Sequence, residues 1–205
     1  MAEPAQIALV EDDAAVRDSL QLYLARQDLA TSCFASGEAL LAALDGGLQF
    51  DCIVSDVRMP GLSGLDLVHD LKARRVVAPI ILITGHGDID MAVCAIKGGA
   101  FNFIEKPFDE ARLLASIKNA LETARQQAID SAEINELYSR FQTLSERQRQ
   151  VMELAVVGLS NKEIGSRLNI SPKTVENHRA WVMERTGAKN LAELVRIAML
   201  IQVRS

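Results

Sequence analysis

Apolar and polar residues alternate on two different periods in the first 124 positions. Compact apolar runs occur at Ile7 to Val10, Leu29 to Phe34, Cys52 to Val54, Ile80 to Ile83 and Phe101 to Ile104. Each is short and rich in β-branched or aromatic side chains, which predicts a buried strand. Between them the apolar positions recur every three or four residues. Val16, Leu20 and Leu24 share one face, and Glu38 to Leu44, Leu65 to Leu71, Met91 to Ile96 and Arg112 to Leu121 follow the same rule. These stretches predict helices. Five strands alternating with five helices define an α/β unit with a parallel sheet.

The pattern then changes. From Arg112 through Tyr138 there is no Pro or Gly, and the apolar face thins to Leu121, Ile129, Ala132 and Leu137. This predicts a last helix running on into a helical linker, either a solvated spacer or one strand of a coiled coil. Beyond Phe141 only helical periodicity remains. Ser145 caps a helix carrying Val151, Leu154 and Val157, which stops at Gly158. Ser160 to Leu168 gives a short second helix ended by Asn169, Ser171-Pro172 starts a third that runs to Gly187, and Leu191 to Ile201 form a fourth. The two helices flanking residues 168–172 make a helix-turn-helix candidate inside an all-α, four-helix domain. The expected division is 1–124, a linker at 125–139, and 140–205.

Charge follows the same division. Residues 1–124 hold 10 Lys+Arg against 18 Asp+Glu, a net of −8, whereas residues 125–205 hold 12 against 9, a net of +3. An acidic front and a basic rear call for different partners, the rear an anionic one. Cys33, Cys52 and Cys94 are odd in number and lack ligand spacing. They read as reduced core residues rather than a disulfide framework or a zinc site. No apolar run reaches the roughly 18 residues of a membrane span, so a cytoplasmic protein with no membrane partner is expected.

The chemistry of the first half gathers at strand ends. Glu11 and Asp12 follow the first strand, Asp56 ends the third, Thr84 the fourth and Lys106 the fifth. In a parallel sheet these ends share one edge, where open α/β sheets carry their sites. Three carboxylates repel one another unless a cation joins them, and Mg²⁺ prefers oxygen ligands. With an ammonium at Lys106 and a hydroxyl at Thr84, the set suits an incoming phosphoryl group attacked by one carboxylate.

The motifs V-E-D-D at 10–13, D-V-R-M-P-G at 56–61, L-I-T-G at 82–85 and K-P-F at 106–108 resemble the receiver domain of two-component response regulators. The resemblance implies a five-stranded, flavodoxin-like receiver in which Asp56 accepts phosphate from a sensor histidine kinase. It implies Mg²⁺ held by Glu11, Asp12, Asp56 and the backbone carbonyl of Arg58. Thr84 and Phe103 would be the switch pair, Lys106 would meet the phosphate, and the bond to Pro107 would be cis. Glu11 departs from the Asp that many relatives carry, and Phe103 from a common Tyr. The face between the fourth helix and fifth strand, with Val93 and Lys97, would then pair with a second copy.

The helix after Pro172 can be sorted by the ~100° turn per residue. Val175, His178, Arg179 and Val182 fall on the inner side, with Lys173, Glu176, Asn177, Ala180 and Glu184 on the outer. Lys173 suits a phosphate or guanine, Asn177 an adenine, Glu176 a cytosine amino group and Ala180 a thymine methyl. Trp181 is expected to pack between helices. L-S-E-R-Q-R-Q-V at 144–151, G-L-S-N-K-E-I at 158–164 and I-S-P-K-T-V-E-N-H at 170–178 resemble the LuxR-type helix-turn-helix domain. That likeness implies DNA contacts from Lys162, Lys173, Thr174, Glu176, Asn177, His178 and Arg179. Gln148 replaces a usual Glu, and Glu176 a frequent Lys.

Taken whole, the sequence resembles a phosphorylation-switched transcriptional activator rather than an enzyme, one that dimerises when phosphorylated and recruits RNA polymerase at promoter DNA. It is similar to the nitrogen-fixation branch of the family, whose kinase partner is a haem-based oxygen sensor and whose targets are nitrogen-fixation or microaerobic genes. Phosphohydrolases that form an aspartyl-phosphate are the rival. They place a second Asp two residues after the nucleophile, and here that position is Arg58. A degenerate, unphosphorylated receiver is opposed by the complete acidic set.

Overall fold

A computed structural model of the chain describes residues 4–85 and 89–202. It divides into two compact units, Met1–Gln126 and Gln127–Ser205.

The first unit is built on five strands: β1 (Gln6–Val10), β2 (Ala30–Phe34), β3 (Cys52–Asp56), β4 (Ile80–Thr84) and β5 (Asn102–Glu105). All pair in parallel, in the order β2-β1-β3-β4-β5. The helices are α1 (Ala14–Ala25), α2 (Gly37–Asp45), α3 (Gly64–Ala73), α4 (Ile89–Gly98) and α5 (Glu110–Gln142). Alternate strand residues serve opposite faces of the sheet, as the pleat requires. Ala8, Val10, Ile53, Ile80 and Leu82 pack against α2, α3 and α4 through Leu40, Leu67, Val68 and Ala95. Ile7, Leu9, Val54, Ile81 and Ile83 pack against α1 and α5 through Leu20, Leu24, Leu113 and Ile117. A sheet covered on both sides explains why its strands read as apolar runs without alternation. The predicted elements are all present, with ends moved by one to a few residues. Asp56 is the last residue of β3 and Thr84 the last of β4, as expected.

Within the second unit, α6 (Glu146–Val156), α7 (Asn161–Leu168), α8 (Pro172–Thr186) and α9 (Leu191–Gln202) enclose two apolar clusters. Reciprocal capping boxes start α6 and α7, Ser145 with Gln148 and Ser160 with Glu163. Gln148 is buried. A neutral amide in that place costs less to desolvate than the carboxylate usual in relatives. Asn169, in the left-handed conformation at φ 54°, ends α7, and Gly187 at φ 74° ends α8.

Four expectations need correcting. Cys94 is exposed on α4, and Cys33, on the edge strand β2, is only partly buried against the core that encloses Cys52. Val157 is the C-cap of α6 and 69% exposed, since the helix ends before its side chain reaches the interior. Trp181 lies on the outside of α8, 48% exposed, and meets His178 edge-on with ring centroids 5.4 Å apart. The thin apolar stripe of the long helix is not continuous. Leu121 joins the first unit's core and Leu137 the second's, leaving Ile129 and Ala132 exposed between them.

Candidate functional site

Strand register assembles the first site. Val10 pairs with Ser55, so the next residues, Glu11 and Asp56, stand side by side at the carboxyl edge. Thr84 pairs with Glu105, which puts Lys106 one step beyond. Its backbone N–H is held by the carbonyl of Thr84 at 2.7 Å, and the bond to Pro107 is cis. The Lys106 ammonium bridges the two buried carboxylates, with Nζ 2.6 Å from Asp56 Oδ2 and 2.9 Å from Glu11 Oε2. Burial works against that charge, but the hydrogen bonds to Asp56 and then Glu11 carry its pKa above the ordinary lysine value. Glu11 is shifted the other way for an acid. Burial raises it, and the Lys106 bond recovers only part of the cost.

The backbone finishes the arrangement. Arg58 N–H donates to Asp56 Oδ1 at 2.9 Å, while the Arg58 side chain points to solvent. The hydroxyl-bearing Thr84 is fully buried, and Phe103 is half-buried against the core that contains Leu82. Val93 and Lys97 are both exposed on α4. Arg17 on α1 donates to the carbonyls of Glu11 at 2.7 Å and Asp12 at 3.4 Å, and Asp13 caps the same helix. Glu38, from the first turn of α2, accepts the N–H of Leu62 at 2.8 Å. Sequence reasoning missed both Arg17 and Glu38. Their partners are backbone groups, which no side-chain motif reports.

Glu11, Asp12 and Asp56 do not form a three-carboxylate cluster among the described residues. Asp12 is exposed. The Lys106 ammonium bridges the two buried acids and offsets one of their two charges, and the exposed Asp12 keeps its hydration rather than join like charges. The oxygen groups on offer, carboxylates and a backbone carbonyl, are those a hard divalent cation prefers.

The second site is the surface of α7 and α8. Gly165 lets α7 pass the following turn closely, since a Cβ there would meet the Ile170 carbonyl at 2.7 Å. Arg147 of α6 donates to the Leu168 carbonyl at the same turn. Lys162, Lys173, Glu176, Asn177, Ala180 and Glu184 are all exposed, and Val175 and Val182 are buried, as the helical sorting predicts. Lys173 and Glu176 pair with each other at 3.0 Å. The Thr174 and Ser171 hydroxyls lie 2.8 Å apart. Arg179, grouped by sequence with the DNA contacts, donates to Asn161 Oδ1 at 3.0 Å. Its place on the inner side of α8 aims it at the start of α7. The Nδ1 of His178 is buried with no hydrogen-bond partner in the structure.

Comparison with known proteins matches both units to known domains. Residues 7–118 match the response regulator receiver domain, and residues 142–198 match bacterial regulatory proteins of the luxR family. The chain therefore belongs to the response regulator family, as a two-component regulator with a LuxR-type DNA-binding domain, which implies a histidine kinase and DNA as partners. Within the family it is similar to the transcriptional regulatory protein FixJ of Bradyrhizobium diazoefficiens, 46% identical over 97% of each chain. The structure of the response regulator StyR superposes with a TM-score of 0.80 at 35% identity, covering 97% of this chain and 99% of that one. Full-length FixJ from B. japonicum gives 0.61 at 44% identity, over 98% and 99%. No helix among the described residues is long and apolar enough to cross a membrane.

Proposed function

We propose that Asp56 accepts a phosphoryl group from a histidine kinase and that this controls dimerisation and DNA binding. The observation that carries the reading is the buried Asp56 carboxylate, ion-paired to Lys106 beside Glu11 at the carboxyl edge of the sheet. An oxygen of Asp56 bonds to phosphorus as the phosphorus–nitrogen bond of the donor histidine breaks, and the imidazole keeps the electron pair. Lys106 is already in hydrogen-bond range and turns its charge to the new phosphoryl oxygens. Glu11, Asp12, Asp56 and the Arg58 carbonyl would hold Mg²⁺, which when bound supplies positive charge facing those oxygens.

The phosphoryl group adds roughly −1.5 to −2 charge. The Thr84 hydroxyl is drawn towards it, and the half-buried Phe103 ring fills the space left. The outer face of α4 changes with them. Val93, 44% exposed, and Lys97 lie on that face and pair with a second copy. Two DNA-binding units then meet two half-sites, through Lys162, Lys173, Thr174, Glu176, Asn177 and His178, with Arg179 supporting α7 from within. Likeness to FixJ supports nitrogen-fixation or microaerobic genes as targets, a haem-based oxygen sensor as the kinase, and RNA polymerase as the recruited partner.

The test is labelling with a small phosphodonor and Mg²⁺, followed by sedimentation and a DNA-binding assay. The parent becomes labelled, dimerises and binds DNA more tightly, whereas Asp56→Asn does none of these. Equal labelling of Asp56→Asn would overturn the assignment.

A further inference from the structure

We infer that Glu38 is a positioning residue for the phosphoryl and metal site, clasping the loop after Asp56 from the first turn of α2; this rests on the roles just given to Asp56 and Arg58. The loop of residues 57–63 carries the Arg58 carbonyl. At its start, Val57 N–H donates to the Ile83 carbonyl at 2.8 Å and Arg58 N–H to Asp56 Oδ1 at 2.9 Å. At its end, Gly64 N–H returns to the Val57 carbonyl at 2.9 Å. The middle is reached from α2, 24 residues away in sequence, where Glu38 Oε1 accepts Leu62 N–H at 2.8 Å.

Contact reinforces this bond on both sides. The Leu62 side chain lies on Gly37, where an added Cβ would come 3.0 Å from Leu62 Cδ2. A Cβ on Gly61 would fall 2.4 Å from Glu38 Oε1, and Gly61 itself sits at φ +80°. Gly37, Gly61 and the carboxylate therefore fit one close approach between helix and loop. The carboxyl of Glu38 is held below its ordinary range, by its own backbone N–H, then the Ser36 hydroxyl, then Leu62 N–H. It stays ionised at neutral pH, and an ionised acceptor makes the stronger bond.

An acidic residue in a helix's first turn ordinarily serves only that helix. Glu38 does more, because its bond limits how far the Arg58 carbonyl can wander between two anchored points. Groups that orient a metal ligand from outside tune affinity for the ion, typically by about 10–100-fold.

The experiment uses the full-length protein, Glu38→Ala and Glu38→Gln. Amide hydrogen exchange at Leu62 is read by nuclear magnetic resonance. Mg²⁺ alone is titrated by amide shifts, and phosphodonor labelling is measured against Mg²⁺ concentration. In Glu38→Ala, Leu62 exchange rises and half-saturating Mg²⁺ rises about tenfold. Labelling at saturating Mg²⁺ stays near the parent rate, and so does the melting temperature. Glu38→Gln, which keeps an acceptor oxygen, recovers most of the affinity. Faster exchange at Leu62 with unchanged half-saturation would show a merely structural bond and overturn the inference, as would unchanged exchange. A parent protein without Mg²⁺-dependent shifts would overturn the metal reading itself, and the clasp's role with it.

Discussion

The Nζ of Lys106 lies 2.6 Å from Oδ2 of Asp56, so the carboxylate proposed to take phosphate is ion-paired before any phosphate arrives. The same ammonium reaches Glu11 at 2.9 Å. Removing it leaves two buried acids facing each other. Lys106→Ala is expected to lower receiver stability at pH 7 by about 2 kcal/mol. Because the folded pKa of Lys106 is raised, its contribution is complete below the ordinary lysine value and fades as pH rises through the folded one. The variant and the parent should therefore converge in strong alkali. Denaturant titrations at several pH values check both points. Labelled Lys106→Ala should also fail to dimerise, which sedimentation reads.

Glu11 gives the opposite sign at neutral pH. Its folded pKa is raised by burial, so the folded chain holds that proton more tightly than the unfolded chain. Its contribution is complete below the ordinary glutamate value and is lost as pH rises through the raised one. Without divalent metal, Glu11→Gln should be more stable than the parent at pH 7, because the amide carries no charge to desolvate. Melting temperature against pH should be flatter for the variant above pH 5. An unchanged slope would show that Glu11 is not the residue responsible.

Arg17 holds the loop that carries Glu11 and Asp12 by their carbonyls. Arg17→Ala strands a part-buried acceptor and should cost about 1–2 kcal/mol. The variant's melting temperature measures it.

Gly165 separates packing from recognition in the second unit. A Cβ there would meet the Ile170 carbonyl at 2.7 Å, and a backbone atom cannot swing aside as a side chain can. Gly165→Ala should cost about 1–3 kcal/mol and spread α7 from the turn. Thermal unfolding and DNA titration should both register the change.

The outer face of α8 should divide by role. Lys162→Ala is expected to weaken specific and scrambled duplexes alike and to flatten the salt dependence by about one unit of slope. Asn177→Ala should cost roughly 1–3 kcal/mol on the preferred duplex and little on the scrambled one. The Lys173–Glu176 pair is exposed on both sides and worth about 0–1 kcal/mol, so it opens readily for DNA. Arg179→Ala frees Asn161 and should weaken both duplexes together with a loss of thermal stability. Titrations of the three variants against both duplexes at several salt concentrations distinguish them.

Much of this was legible in the chain itself. Runs such as Ile80 to Ile83 can only be satisfied when buried on both faces, and turn residues after Asp56 and before Pro172 set where elements stop. Element order and residue type therefore placed Asp56, Thr84 and Lys106 at strand ends and Lys173 and Asn177 on the outer side of a helix. Strand alternation and helix period are local rules, and local rules are written in sequence. What only the tertiary structure decided depends on distance between remote groups. Lys106 took Glu11 and Asp56 as partners and left Asp12 in water, because strand register brings those two acids within reach of one ammonium. Arg179, on the inner side of α8, met Asn161, Trp181 stayed at the surface, and Glu38 found an N–H 24 residues away. Each of these turns on a few ångströms of packing between elements, and a backbone N–H or carbonyl leaves no mark in the order of side chains.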